Sequence, residues 1–532
     1  MRLLIRTLLL GLFLLPLAAA PSQKWIYCSQ NLWVDENLSR LEELMRRAQK
    51  LGYTHLLLAD SKFSKLNDMD ARYFRNVERV KTMAAECKIE VVPALFSIGY
   101  SNDLLWHDPN LIEGLPVNDL PLVVRNGTAE LLPDPKLKLK GGDFTNLKEW
   151  DWKDDSVQSD SGAAVIRNGD GGNARIVQKL SLKPFRQYHM ELKVKTVNFK
   201  GTPEVKVLSG NRSLNYNYLG TKPSQDWTVH HVVFNSLNHT NAMLYLGVWG
   251  AGSGELWFDD LKLEETAFLN LIRRPGAPLK LTHENGTVLT EGKDFASLED
   301  SRMGRRLWPG SYDIFHASPK LKVSLPEGSR LRASYYHAAT VHDDQAAICP
   351  SEPKTLALLK DQAERMHKAW GAKGYMMSHD EIRVWNWCHA CQSRNMTAGE
   401  LLADNVRSCV NLLKKINPGG TIYVWSDMFD PHHNAVNEYY LVRGSFAGAW
   451  EGLEKDVVIV PWYFEKRNES LKFFADRGHR QVIAGYYDHD PSRIREWINA
   501  ASKVQGVLGV MYTTWENDYS DLEKFAEFSK EK

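Results

Sequence analysis

The 532-residue chain has almost no net charge: 66 Lys and Arg stand against 65 Asp and Glu, a formal +1. That balance excludes the basic footprint with which proteins grip phosphate backbones, so no nucleic-acid partner is expected. Cysteine is scarce, with only Cys28, Cys87, Cys349, Cys388, Cys391 and Cys409. A disulfide scaffold is therefore excluded, and the fold must rest on buried apolar surface. Beyond the N-terminus no apolar run approaches the ~20 residues of a membrane-spanning helix, so no integral membrane segment is expected there. No Cys directly follows Ala18-Ala19-Ala20, which excludes a lipoprotein signal.

What is present begins at the N-terminus. Arg2 and Arg6 precede an almost continuously apolar stretch, Leu8 to Leu17, and then the small residues Ala18 to Ala20. This pattern reads as a signal peptide over 1–20 and predicts a secreted or periplasmic protein. Export permits disulfides, which bears on Cys388-His389-Ala390-Cys391. Cys349 could come near it in space, and the motif reads as a local disulfide, as a structural zinc site using Cys349, Cys388, Cys391 and a His, or as free thiols. Aromatic residues are plentiful, with 17 Trp, 20 Tyr and 19 Phe. Sugar clefts use such rings, because a pyranose presents C–H faces that pack on flat aromatic surface.

A chain this long is expected to form two or three domains. From Lys24 to Ser97 strand-like and helix-like patterns alternate. Leu41, Leu44, Met45 and Ala48 share one helical face, and Thr54 to Ala59 is an apolar strand ending at Asp60. The rhythm stops after Phe96 and resumes near Ser351. Strand starts near 25, 54, 89, 374, 421, 457, 481 and 507 make the eight that a (β/α)8 TIM barrel needs. The predicted class is thus α/β, a TIM barrel with an inserted all-β jelly-roll sandwich. Residues 21–100 form the first part of the barrel, 101–345 the insertion with its sandwich at 142–265, and 346–532 the second part. Leu331 to His337 is assigned to the insertion.

The most informative segment is Tyr375-Met376-Met377-Ser378-His379-Asp380-Glu381. A short buried strand ends in two adjacent carboxylates, where barrel enzymes place their chemistry. Two ionised neighbours repel, so one pKa rises and that group serves as a proton donor. Other strand ends put an aromatic residue next to an acid: Trp425-Ser426-Asp427, Trp462-Tyr463-Phe464-Glu465, Tyr487-Asp488 and Trp515-Glu516. Together with His379 and Asp60 they predict a cleft that stacks a sugar and hydrogen-bonds its hydroxyls, hence a carbohydrate partner.

On His379-Asp380-Glu381, Trp425-Ser426-Asp427 and Trp515-Glu516, the barrel resembles glycoside hydrolase family 20, the β-N-acetylhexosaminidases. The segment Gly254 to Glu264, with Trp257-Phe258-Asp259-Asp260, resembles the last strand of jelly-roll carbohydrate-binding modules. The family-20 resemblance implies a substrate-assisted retaining mechanism without metal or organic cofactor. Glu381 would protonate the glycosidic oxygen and later deprotonate water, while Asp380 would orient the 2-acetamido group, whose oxygen is the nucleophile. Two alternatives stay open. One is a retaining glycosidase with Glu381 as acid and Glu516 or Asp427 as nucleophile, the carboxyls being about 5–5.5 Å apart. The other is a non-catalytic glycan-binding protein.

Overall fold

The computed structural model describes residues 21–167, 172–250 and 252–530; the signal-peptide reading of 1–20 lies outside them. Eight parallel strands close into a barrel: Gln23–Ser29, His55–Ala59, Glu90–Leu95, Gly374–Met377, Thr421–Trp425, Val458–Val460, Gln481–Ala484 and Val507–Tyr512. Closure is direct, with Trp25 paired to Met511 and Ile26 to Tyr512. The expected barrel and all eight strand positions are borne out.

Strand side chains alternate, so each strand feeds two cores. Trp25, Leu57, Val92, Met376, Tyr423, Val458, Val482 and Met511 fill the barrel interior. Their neighbours, such as Ile26, Leu56, Leu58, Met377 and Val510, pack outward against the helices. Helix Asp35–Lys50 buries Leu38, Leu41, Leu44, Met45 and Ala48, the stripe read from its spacing. Helix Ala398–Ile416 starts at a capping box, in which the Thr397 hydroxyl accepts from Glu400 N–H and Glu400 accepts from Thr397 N–H. Among the described residues no helix is long and apolar enough to cross a membrane.

Between the third and fourth barrel strands the chain builds three five-stranded antiparallel sheets. Two of them, formed within Trp152–Thr266, enclose a shared core that includes Tyr188, Met190, Leu192, Leu244 and Phe258. The third combines Lys280–His283 and Arg330–Ala338 with Gly114–Arg125, Thr128–Leu131 and Leu321–Lys322. Strand Gly114–Arg125 is hidden in the sequence, because Pro116 and Pro121 interrupt its alternation. The excursion leaves and returns through a neck. Glu113 N–H donates to Ala347 C=O, and Cys349 N–H donates to Leu111 C=O, both at 2.7 Å.

Candidate active site

The fourth barrel strand ends at Met377, and its continuation is held from both sides. Ser378 N–H donates to Leu95 C=O, and Ile98 N–H donates to Ser378 C=O. The loop after the third strand lies so close that a Cβ on Gly99 would sit 1.9 Å from the carbonyl oxygen of Asp380. Only glycine fits there. Glu381 adopts a left-handed backbone (φ 46°), which turns the chain so that Asp380 and Glu381 both face the barrel mouth. Its N–H donates to Asp427 Oδ2 at 2.8 Å, and its C=O accepts from Gln345 Nε2 at 3.0 Å. The same Gln345 nitrogen donates to Gly99 C=O at 3.0 Å.

The mouth is a cleft of about 500 Å³. Asp380 and Glu381 form part of its wall beside Tyr27, Tyr100, Trp425, Trp462, Tyr487 and Trp515. Trp462 and Tyr487 stack at 5.3 Å, and Trp515 meets Tyr27 edge-on at 4.9 Å and Trp425 at 5.8 Å. Trp515 remains 42% exposed, so it offers a ring to whatever enters. Asp60 and Asp103 add acidic groups to the lining, and no Lys or Arg is among the lining residues described.

The carboxyls are tuned differently. Burial pushes the Asp380 carboxyl up to about 8, reinforced by the charges of Asp427 and Glu381. Burial also raises Asp427, with Glu381 adding repulsion, while the Glu381 N–H, Asn434 and the Trp462 indole N–H oppose the rise. Glu381 is paired with Arg383 at 2.7 Å and accepts from the Tyr100 hydroxyl. Arg383 in turn donates to Gln345 and lies 4.9 Å from the centre of the Tyr440 ring. The raised group is therefore Asp380, whereas the sequence reading places the upward shift on Glu381. The reason is tertiary: Arg383 and Tyr100 face Glu381, while Asp380 is desolvated beside Asp427.

Other expected residues divide. Trp425, Trp462, Tyr487, Trp515 and Asp60 do line the cleft. Asp60 is already engaged: it accepts from Leu32 N–H, Lys62 N–H and the Tyr73 hydroxyl. His379 is not in the lining. It is fully buried, bonds Asn405 of helix Ala398–Ile416 at 3.1 Å, and burial lowers it to about 4. Strand alternation sends it away from its neighbour Asp380. Tyr463 stacks on His433 at 4.4 Å, outside the lining, and Glu516 is exposed at the rim. Asp427 is wholly buried behind the Glu381 backbone, a support rather than a wall. Neither nucleophile considered for the direct mechanism reaches the lining.

Tyr100, Arg383 and Gln345 were not singled out by the sequence. Arg383 lies two residues beyond Glu381 in the sequence. Tyr100 follows the third strand, and Gln345 lies where the insertion returns; neither carries a local signal. The zinc reading also changes in one member. The carboxylate of Glu113, not a His, joins Cys349, Cys388 and Cys391. The local disulfide is not formed; all six cysteines are free thiols, and Cys349 Sγ lies 3.4 Å from Cys388 Sγ.

No protein-family model matches the chain, and no curated protein matches its sequence. Solved structures do. A β-N-acetylhexosaminidase is 8% identical, with 96% of this chain and 72% of that chain covered and a TM-score of 0.42. The β-N-acetylhexosaminidase from Bacteroides fragilis NCTC 9343 is 9% identical over 96% of this chain, which spans 66% of that enzyme's length, at a TM-score of 0.39. A carbohydrate-binding CBM4 structure is 16% identical, covering 22% of this chain and 77% of that chain at a TM-score of 0.16. These are the proteins the chain is similar to, and at such distances the chemistry has to be argued from its own side chains.

Proposed function

We propose that the chain is an exported glycoside hydrolase that removes terminal 2-acetamido sugars by a substrate-assisted retaining mechanism. The observation that carries the proposal is the pair Asp380 and Glu381 at the mouth of a closed barrel, facing a cleft walled by seven aromatic residues. The rings suit the apolar faces of a pyranose. The acidic lining disfavours uronic and other anionic sugars, which leaves neutral or cationic ones.

Glu381 protonates the departing oxygen, and the acetamido oxygen attacks the anomeric carbon. Asp380 accepts the acetamido N–H and stabilises the positive oxazolinium ring. Glu381 then takes a proton from the water that opens that ring. In the free cleft Asp380 holds a proton at neutral pH. An acetamido N–H pressed against Asp380 favours its ionised form, because a hydrogen bond to the charged state stabilises that state. Substrate entry therefore displaces this proton, which passes to the neighbouring Glu381 and becomes the one that Glu381 delivers to the departing oxygen. Specificity follows: a 2-hydroxy sugar brings no amide N–H and no nucleophile.

One observation favours a second reading. Asp380 carries the raised pKa while Glu381 is paired with Arg383, so Asp380 itself could donate the proton. The test is a panel of chromogenic glycosides, 2-acetamido beside 2-hydroxy, with good and poor leaving groups. The first reading expects acetamido preference and thiazoline inhibition. The second expects kcat/KM to fall above about pH 8. Under it, Asp380→Asn loses most on poor leaving groups. No turnover and no inhibitor binding on any glycoside would leave a glycan-binding barrel instead.

A further inference from the structure

A second cluster of ionisable groups lies away from the cleft, with Cys388 and Cys391 on the loop that follows the active-site pair. Cys349, Cys388, Cys391 and Glu113 are all buried, and their ligand atoms lie within 4.8 Å of one another. None of them lines the cleft. Cys349 Sγ is 3.4 Å from Cys388 Sγ and 3.6 Å from Cys391 Sγ. Glu113 Oε2 is 3.5 Å from Cys388 Sγ and 3.4 Å from Cys391 Sγ.

These spacings can be compared with what a tetrahedral ion demands. With Zn–S about 2.3 Å and Zn–O about 2.0 Å, ligand sulfurs stand about 3.8 Å apart and sulfur and oxygen about 3.5 Å. The two sulfur–oxygen spacings above match, and the two sulfur–sulfur spacings need only a few tenths of an ångström; all the ligand atoms lie within 4.8 Å of one another. A disulfide would need about 2.05 Å. It would also use only two of the three sulfurs. We propose that Glu113, Cys349, Cys388 and Cys391 bind one structural zinc ion.

Groups around the cluster are arranged accordingly. Glu113 Oε1 accepts from the N–H groups of Trp387 and Cys388, both at 2.8 Å, and this turns Oε2 toward the sulfurs. Fixing one carboxylate oxygen by backbone donors while the other ligates is how outer contacts orient a metal ligand. Arg274 faces Cys349, Cys388 and Glu113. Its guanidinium is held by Glu352 at 2.5 Å and by the Ile112 carbonyl. Three thiolates and a carboxylate then face a divalent cation and one guanidinium. Four protein ligands and full burial leave no open position, so the ion's role is structural. It would tie three segments: Glu113, where the insertion leaves; Cys349, where it returns; and the loop that follows Asp380 and Glu381.

The test uses the full chain, purified without chelator. Expected are one zinc per chain by elemental analysis and native mass spectrometry, and protection of Cys349, Cys388 and Cys391 from alkylation. A chelator should expose these three thiols and lower Tm, and added zinc should restore both. Cobalt should give thiolate charge-transfer absorption. Glu113→Gln should lower zinc occupancy; if it does not fold, the wild-type measurements still decide. The proposal is overturned if the folded chain is metal-free after growth in zinc, with the three thiols freely alkylated. It is equally overturned if the intact mass is lighter by two hydrogens, with a disulfide mapped to this cluster.

Discussion

One loop feeds two clusters of acidic groups, and they solve the same electrostatic problem in different ways. At the cleft, Asp380, Glu381 and Asp427 crowd together with Arg383 as the cation beside them. Asp380 and Glu381 line an open cleft, so charge there can be adjusted by moving a proton. The cluster of Glu113 with three cysteines is sealed, and a sealed site has no solvent to stabilise leftover charge. The zinc ion proposed above would supply the compensating charge there. An open cluster is therefore suited to chemistry and a closed one to fastening. The loop from Asp380 to Cys391 links the two, so holding the closed end positions the open one.

The comparison breaks most sharply at Glu381. Glu381→Gln should cut turnover by about 10²–10⁴ on substrates with poor leaving groups, the usual loss for a general acid. Its circular dichroism and Tm should stay near wild type. Near-normal rates on such substrates would remove Glu381 from the chemistry.

Next comes Gly99→Ala. The added methyl collides with the Asp380 carbonyl, so the loop must shift by more than an ångström. Displacement on that scale costs about 10²-fold in rate. The expected kinetics show a fall in kcat without loss of the barrel, and an unchanged kcat would mean the mouth tolerates movement.

Asp380 supplies a pH test. An unfolded Asp titrates near about 3.9, and the folded group near about 8. Between those values the folded chain holds a proton that the unfolded chain has released, so stability falls as pH rises across that window. Asp380→Asn removes this penalty. Its Tm should exceed that of wild type at pH 8, and the gap should shrink toward pH 5. Activity on acetamido sugars should drop even as stability rises. A Tm difference that does not vary with pH would show that the carboxyl is not buried as described.

The smallest effect belongs to the rim. Trp515→Ala removes an exposed ring and should raise KM about tenfold, in line with about 0.5–1.5 kcal/mol for aromatic stacking beyond its buried area, with kcat little changed. A fall in kcat alone would give Trp515 a role in the transition state instead.

Local pattern carried much of this protein. Apolar runs separated by amphipathic helices gave the eight barrel strands, because strand and helix periodicities are written residue by residue. The adjacency of Asp380 and Glu381 and the aromatic strand ends were legible for the same reason. Strand Gly114–Arg125 was not, since two prolines break its pattern, and His379 was misplaced by adjacency to the pair. What only tertiary structure decided was which groups surround each carboxyl. Tyr100, Gln345 and Arg383 come from separate segments, yet they meet at Glu381. Glu113 reaches three cysteines more than two hundred residues downstream. Sequence determines which groups a chain owns and how its elements repeat. Desolvation and charge proximity act through space, so a pKa or a ligand set exists only once the fold has brought its members together.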